Sequence, residues 1–239
     1  MEFFEFIDNS SIKINLKDFR KMFSHELKYL NEYFELNNKM LIRRRSDLEL
    51  SLKDDIHNYP QLEAELVEFY QIDFIKIPCY FYNSAIVSLY SLLENNINSL
   101  CEIIQAETNL VIGFRDLAGF SVIEKGKIFL NKIANIDFER IAKEWSWIKD
   151  YQKLRNLIVH NNTQMKDLEQ DIKLMSRLKN IRVIEKDFYI TDISLVYEFL
   201  GLIEKFIISI SDQIEDRKFK KFKRALEIKK FDDYDKFPF

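Results

Sequence analysis

Glycine and proline are scarce along the whole chain. The 239 residues include 4 Gly and 3 Pro, and the glycines stand singly at positions 113, 119, 126 and 201. Phosphate-binding loops of the Walker and Rossmann types need clustered glycines so that backbone N–H groups can approach phosphate, which excludes both motifs. Folds built from many tight β-turns also depend on these two residue types. Long helices are therefore the main element that this sequence permits.

Apolar residues recur at intervals of three and four over several long stretches. This period predicts six helices, over 17–57, 61–76, 80–108, 121–134, 138–160 and about 193–214. Pro78 is expected to separate the second helix from the third, and Asn37–Asn38 to break the first. Two short alternating segments on either side of Glu185–Asp187 predict a β-hairpin. We therefore expect an all-α fold, an up-and-down bundle of long helices with a small β-hairpin insertion.

Capping residues mark the expected helix ends. Ser121 with Glu124 forms a capping-box pattern, Asp137 can cap the following helix, and the pair Asn161–Asn162 can end it. Thr191 or Asp192 can cap the last helix. In chain order we divide the sequence into an N-terminal long-helix region (1–78), a helical domain (79–215) and a charged C-terminal tail (216–239).

Composition excludes several functional classes. Two cysteines and three widely separated histidines, His25, His57 and His160, supply neither a disulfide framework nor a zinc site, so we expect no metal and no cofactor. The 36 basic and 39 acidic residues give a net charge of −3, as in ordinary globular domains. We find no apolar run of 18 residues and no basic leader, so we expect a cytoplasmic protein without membrane association.

The segment Tyr151-Gln-Lys-Leu-Arg-Asn-Leu-Ile-Val-His-Asn-Asn contains the sharpest chemical pattern. On a helix, Asn156 and His160 are four residues apart and share one face, and the long side chain of Arg155 can swing towards them. Histidine exchanges a proton near neutral pH, and arginine stabilises charge on phosphate oxygens. These groups can act on a phosphodiester without a metal ion.

Arg155, Asn156 and His160 resemble the motif of the HEPN superfamily, in which an arginine, often followed by a polar residue, precedes a histidine by a short spacer. The position of the motif near the end of a long helix, with another long helix after it, is also similar to that family. The resemblance covers about 80–214 and marks 79–215 as a HEPN-like domain.

The resemblance implies a homodimeric, metal-independent endoribonuclease. The 2′-OH of the RNA substrate would attack the adjacent phosphorus and leave 2′,3′-cyclic phosphate and 5′-OH ends. His160 would act as base or acid, Arg155 would stabilise the transition state, and Asn156 would orient the histidine or a phosphate. Such proteins often act as toxins or antiphage effectors, which suggests an antitoxin or a defence-complex protein as partner. Asn162 stands where some toxins carry a tyrosine that is AMPylated, so this mode of control is not implied.

Further residues are candidates for supporting roles. Glu94 lies in a largely apolar helix and could tune His160, and Asn161 follows the histidine directly. The candidates for RNA binding are basic, and phenylalanines interleave with the second run: Lys153, and Arg217, Lys218, Lys220 and Lys221. The alternative for 217–224 is a solvated amphipathic helix whose phenylalanines pack on the bundle.

The simpler interpretation of the motif is a helix C-terminus at which Arg155 and His160 complement the helix dipole. A second pair, Arg20 and His25, has the same spacing but lacks the polar second position and is interpreted as ordinary surface. Two alternatives to catalysis remain open. The domain could bind nucleotides or a protein partner without cleaving RNA, or it could be a structural subunit of a larger defence complex.

Overall fold

The computed structural model describes residues 7–119 and 121–222, and these ranges form six α-helices and four short strands. The helices are α1 Lys17–Asn58, α2 Glu63–Thr108, α3 Val122–Ile128, α4 Ala142–Asn161, α5 Leu168–Arg177 and α6 Ser194–Glu215. The strands are β1 Ile7–Ile12, β2 Ile181–Ile184, β3 Asp187–Ile190 and β4 Phe219–Phe222. The predicted all-α class with a small β insertion is confirmed.

The first two helices are longer and less interrupted than expected. Helix α1 runs without a break, so the expected break at Asn37–Asn38 was wrong. The Asn37 amide donates to the Tyr33 carbonyl one turn earlier at 2.8 Å, which keeps the side chain within the helix geometry. Asparagine favours turns only weakly, and tertiary packing on both sides overrides that preference.

Pro78 lies inside α2, and the expected division there was wrong. A proline in a helix lacks one N–H donor and costs roughly 3 kcal/mol. Cys79, Tyr82 and Ile86 are buried within the next two turns, and their packing keeps the helix continuous. The division drawn at 78/79 therefore falls within a helix, and the three-part organisation stays a prediction.

Several local predictions are confirmed. Ser121 Oγ accepts a hydrogen bond from the Glu124 N–H at 3.3 Å at the start of α3, and α3 continues as a π turn over Phe129–Ile133. The expected hairpin is β2 paired antiparallel with β3, and Glu185 occupies its turn at φ 56°. Asp192 Oδ1 accepts from the Ser194 N–H at 2.7 Å and caps α6.

Two features were missed. Helix α5 was not predicted, although four of its ten residues are apolar and Asp167 caps it by accepting from the Gln170 N–H at 3.2 Å. Strands β1 and β4 pair antiparallel, with Ile12 opposite Phe219 and an irregular register between Asp8 and Ser11. Strand pairing between the two ends of a sequence has no local signal, since it depends on where the helices bring those ends.

The chain divides into two compact units. The first comprises Met1–Met22, Leu92–Ala142 and Lys205–Phe239, and the second comprises Phe23–Ser91 and Lys143–Glu204. In the first unit, Arg20 binds Asp212 at 2.6 Å and Glu215 at 2.8 Å, and the Glu215 carboxylate also accepts from the Leu16 N–H at the start of α1. Its core includes apolar residues at 0–1% exposure, among them Leu16, Leu93, Ile97, Leu100, Ile104, Ile123, Phe129, Phe206, Ile207 and Ile210.

The second unit packs α4, the β2–β3 hairpin and parts of α1, α2 and α6 around aromatic and aliphatic side chains. Its fully buried residues include Phe34, Ile86, Leu89, Ile148, Leu154, Phe188, Leu195, Val196, Phe199 and Ile203. Among the helices of the described ranges, none is apolar over a length that could cross a lipid bilayer.

Gly126 allows α3 to approach α2 within the first unit. A Cβ at this position would overlap Cγ2 of Ile97, and Phe114 Cε2 would lie 3.9 Å away. Nothing lies within 4 Å of the corresponding point at Gly201 in α6. The two helical glycines therefore differ in the space available to a methyl group.

We expect Gly126→Ala to lower the free energy of unfolding by about 1–3 kcal/mol, because the added methyl overpacks a filled contact. Gly201→Ala is the matched control and should raise stability by about 0.5–1 kcal/mol, since alanine is the better helix former. Urea denaturation measures both. The double variant Gly126→Ala/Ile97→Ala should lose less than the sum of its single changes, and additivity of the two would contradict the proposed overlap.

Candidate functional site

Helix α4 carries the motif, and its buried face sets which residues reach solvent. Ile148, Tyr151, Leu154 and Leu157 are all buried and follow one another at intervals of three residues. The Tyr151 ring stacks on Phe199 of α6, with ring centroids 4.0 Å apart and 6° between the ring planes. Asp150 and Gln152 are buried beside these anchors, whereas Lys153, Asn156 and His160 are turned away from them and are exposed.

The end of α4 fixes the position of the histidine. The helix stops at Asn161, and Asn162 and Thr163 adopt left-handed backbone at φ 49° and 65°. The Thr163 N–H donates to the Leu157 carbonyl at 3.2 Å, which satisfies one of the last free carbonyls of the helix. The predicted helix end at the asparagine pair is confirmed, and His160 consequently lies in the final turn.

The three motif residues meet through the guanidinium of Arg155. Its Nη1 donates to Asn156 Oδ1 at 3.2 Å and lies 3.4 Å from His160 Nε2. Asn156 and His160 are exposed, and Arg155 is half-buried. The arrangement places an imidazole, an amide and a guanidinium within one hydrogen-bonded group at the surface of the second unit.

Arg155 lies over an aromatic ring and has no acidic partner in the part of the chain that the structure describes. Its Cζ lies 5.6 Å from the centroid of the buried Tyr90 ring, a distance at which a cation is attracted to the ring face. The Nε atom is buried and makes no hydrogen bond to the described residues. Within the same ranges, no carboxylate lies within ion-pair distance of this guanidinium. The charge of Arg155 is therefore not neutralised by a neighbouring acid.

The contact with Arg155 defines one state of the histidine. Arginine carries only donors, so a hydrogen bond here needs Nε2 of His160 as the acceptor, with the ring proton on Nδ1. At 3.4 Å the contact is long for a hydrogen bond, and little energy is needed to exchange it for another partner. The imidazole is exposed, and its Nε2 atom lies beside a donor of Arg155.

Lys153 extends the exposed face on which the motif lies. Lys153, Asn156 and His160 fall within an arc of roughly 60° when residues are placed at 100° intervals around α4. All three are exposed. A positive charge, an amide and an imidazole therefore form one strip along the solvent side of the helix.

The second Arg–His pair has a different environment. Arg20 donates from Nε to Glu215 at 3.0 Å and from Nη2 to Asp212 at 2.6 Å. Burial lowers the pKa of Arg20, but the hydrogen bonds to these two acids outweigh it and raise the pKa overall. His25 is exposed. The guanidinium in this pair is already satisfied by carboxylates, whereas that of Arg155 is not.

The other candidates are distributed over the two units. Asn161 is the half-buried last residue of α4, and its carbonyl accepts from the Gln164 N–H at 3.0 Å. Glu94 is half-buried on α2 and belongs to the first unit, whereas the motif belongs to the second. A role for Glu94 in tuning His160 stays a prediction.

The C-terminal basic run is not a helix where it is described. Phe219–Phe222 forms strand β4, so the alternative of an amphipathic helix was wrong over these residues. The strand pairs with β1, and its side chains alternate between the buried Phe219 and the exposed Lys220. Lys218 is exposed, and Arg217 and Lys221 are half-buried, all in the first unit. Lys223 and Arg224 lie outside the described residues.

Two contacts that support the motif helix were missed by the sequence analysis. Tyr90 belongs to the apolar stripe of α2 and gives no sign that a guanidinium lies over it. Asp150 is buried on α4 and pairs with Arg177 at the end of α5, where Arg177 also lies 5.3 Å from the Trp147 ring centroid. In the sequence, the only sign of the Asp150–Arg177 ion pair was an acidic residue among the apolar residues of α4.

The Asp150–Arg177 pair is unevenly satisfied. Arg177 Nη1 donates to Asp150 Oδ1 at 3.3 Å, while the 2.7 Å contact to Oδ2 is an ion pair without hydrogen-bond geometry. Burial raises the pKa of the Asp150 carboxyl above its usual value, and the charges of Arg177 and Lys153 only partly offset this. Burial therefore disfavours the ionised carboxylate of Asp150, and the positive charge of Arg177 offsets part of this cost.

Other catalytic chemistries find little support in the described ranges. No group of three or more histidine, cysteine or acidic residues there could hold a metal ion. Cys79 and Cys101 are buried and unpaired, and burial raises the pKa of both thiols, which disfavours a thiolate nucleophile. The Arg155–Asn156–His160 group is the arrangement with the clearest chemical capability.

Comparisons of the chain with models of known protein families, with curated proteins and with solved structures found no match. The assignment of a function therefore depends on the geometry of the motif and on the resemblance carried by its residues.

We expect Arg177→Met to lower the free energy of unfolding at pH 7 by about 1–3 kcal/mol, because it leaves the ionised Asp150 buried without a partner. A raised carboxyl pKa means that the folded state binds more protons than the unfolded state between the usual and the raised value. Stability from this group therefore falls as pH rises through that window. The deficit of Arg177→Met should shrink as pH is lowered through it.

Urea denaturation from pH 3.5 to 7.5 measures the effect. Asp150→Asn/Arg177→Met is the matched control, because it removes the buried charge together with its partner and should recover much of the loss. A deficit of Arg177→Met that does not change with pH would contradict this account.

Proposed function

We propose that this chain is a metal-independent endoribonuclease of the HEPN type. The observation that carries the proposal is the surface group in which Arg155 Nη1 contacts both Asn156 Oδ1 and the exposed His160 Nε2. A proton-exchanging imidazole beside an uncompensated guanidinium is the minimum required to cleave RNA by internal transfer.

The proposed reaction begins with the neutral imidazole. His160 Nε2 takes the proton of a ribose 2′-OH as the 2′-oxygen attacks the adjacent phosphorus. The bond from phosphorus to the 5′-oxygen breaks, and that oxygen receives a proton from an imidazolium, here the partner motif of a second copy, or from water. The products carry a 2′,3′-cyclic phosphate and a 5′-OH. The reaction is a transfer within the RNA and adds no water to the products.

Arg155 is suited to the negative charge that develops in this reaction. Its Nη2 makes no hydrogen bond to the described residues, and no acid neutralises the group, so a non-bridging phosphate oxygen can take its place as partner. The Tyr90 ring restricts the guanidinium without consuming a donor. Binding of phosphate by Arg155 would also release Nε2 of His160 from the present contact.

Lys153 is the candidate for the adjoining phosphate. It lies two turns before His160 on the exposed strip of α4. Lysine contributes through charge alone, so it adds affinity for the RNA backbone without sequence preference. RNA is therefore the proposed substrate, and the biological role that we propose is that of a toxin or antiphage effector, with an antitoxin or a defence-complex protein as its partner.

We expect His160→Ala and Arg155→Ala each to reduce RNA cleavage at least about 100-fold, since loss of a general base or of an oxyanion donor typically has effects of this size. The assay incubates purified protein with total RNA and with a defined oligoribonucleotide in excess EDTA. Mapping of the ends should give 2′,3′-cyclic phosphate, and 2′-deoxy substitution at the cleaved nucleotide should block the reaction.

His25→Ala is the matched control, because His25 is also exposed and follows an arginine at the same spacing. It should cleave like the wild type. Circular dichroism verifies that each variant is folded. Equal cleavage by His160→Ala and the wild type would reject the assignment.

A second candidate function is binding without cleavage. It is favoured by the contact that occupies His160 Nε2 with an Arg155 donor, because this lone pair is the one a base would use. In that case, the wild type would bind nucleotides or RNA without altering their ends. Arg155→Ala would then weaken binding, and His160→Ala would have a smaller effect.

A further inference from the structure

Helix α1 carries a second apolar face in addition to the one that is buried. Phe23, Leu27 and Phe34 are buried on one side of the helix. Four large apolar residues lie on another side and are 53–70% exposed: Tyr29, Tyr33, Leu36 and Met40. We call these four residues the α1 stripe. Contiguous exposed apolar surface of this kind marks interaction sites in soluble proteins.

The α1 stripe has the spacing of a helix–helix seam. Its members are separated by four, three and four residues, as the a and d positions of a heptad repeat are. At 100° per residue, they fall within an arc of about 60°. The buried face is centred about 120° away, so one helix satisfies two separate packing surfaces. A second helix is the natural occupant of such a narrow stripe.

We propose that α1 pairs antiparallel with α1 of a second copy of this chain, about a two-fold axis between Tyr33 and Leu36. In this register Tyr33 lies opposite Leu36 of the second copy, and Tyr29 lies opposite Met40. Each heptad a position then meets a d position, as the layers of an antiparallel coiled coil require. The stripe is thereby complementary to itself, as an isologous interface must be.

Charge at the ends of the stripe supports the same register. The next heptad positions outward are Glu26 and Arg43, which are exposed and of opposite charge. The pairing sets Glu26 of one copy opposite Arg43 of the other, twice per dimer. A parallel pair would instead set each of these residues beside its own equivalent, so that like charges meet.

A groove beside the stripe can receive the outer aromatic residue. Met40, Ile77, Phe81 and Arg43 contribute to the lining of a groove of about 500 Å³ between α1 and α2. Tyr29 of the second copy faces Met40 and therefore lies at the mouth of this groove. An aromatic side chain that fills a pocket on its partner is the usual anchor of a stable interface.

The area is sufficient for a reversible dimer. Four large side chains, each a little over half exposed, offer roughly 400–500 Å² per copy, and flanking residues add to this. The total of about 1,000 Å² lies at the lower end of specific interfaces, where weak and reversible association is typical. The inference concerns α1, which lies outside the segment with the HEPN resemblance, and it does not depend on ribonuclease activity.

The test is charge reversal in the full-length chain, followed by sedimentation velocity and equilibrium. Glu26 and Arg43 are 17 residues apart on one helix, about 25 Å along its axis, so they cannot contact each other within one copy. We expect Glu26→Arg and Arg43→Glu each to raise the dissociation constant at least fivefold. The double variant should return it to within about twofold of the wild-type value.

Leu36→Glu should raise the dissociation constant more than 50-fold, because it places a charge at the centre of the seam. The matched control is Ile172→Glu, at a half-exposed apolar position on α5 that should leave association unchanged. A wild-type chain that stays monomeric at 50 µM would overturn the proposal, as would a dimer indifferent to Leu36→Glu or a double variant without recovery. RNA cleavage is assayed separately, so failure of one proposal is distinguishable from failure of the other.

Discussion

The burial of one face of α4 is the constraint on which the candidate site depends. Ile148, Leu154 and Leu157 pack inward, and Tyr151 is stacked on Phe199, so the helix cannot rotate without opening the core of the second unit. The exposed strip is a geometrical consequence of that packing, since a helix buried on one side must present the intervening positions to solvent. The chemistry of the surface is thus fixed by residues that take no part in it.

Helix α4 is held to α5 by an ion pair in which one of the two charges is buried. Asp150 lies on the buried side, where burial raises the pKa of its carboxyl, and it lies within ion-pair distance of Arg177. Apolar residues could stabilise a helix contact at least as well as a buried ion pair does. A pair of this kind instead selects one register between α4 and α5, because any shift would separate the two charges.

The features that the sequence analysis predicted were those with local causes. The caps at Ser121 and Asp192 and the left-handed Asn162 depend on a few neighbouring residues, and all three are as expected. The helix breaks expected at Pro78 and at Asn37–Asn38 were wrong because tertiary packing overrides the local preferences of these residues. The β1–β4 pairing was missed because its two strands come from opposite ends of the sequence, so no local pattern indicates it.

The candidate site shows the same division. Placement of Asn156 and His160 on one face follows from helical periodicity alone, and the structure gives that geometry. The Tyr90 ring beneath Arg155 could not be foreseen, since it comes from another helix and resembles every other aromatic of a buried stripe. Periodicity determines what a single helix presents, but it says nothing about which helix lies beneath.

The two Arg–His pairs show why spacing is a weak guide to chemistry and environment a stronger one. Arg20 is bound by Asp212 and Glu215, so an anion approaching it would have to compete with two carboxylates already in contact. Arg155 lies over the Tyr90 ring, and among the described residues no carboxylate is within ion-pair distance of it and its Nη2 makes no hydrogen bond. A guanidinium held in this way retains its charge for an incoming phosphate, because a π face attracts a cation without neutralising it. Identical spacing therefore yields a structural arginine at one helix and a candidate phosphate receptor at another.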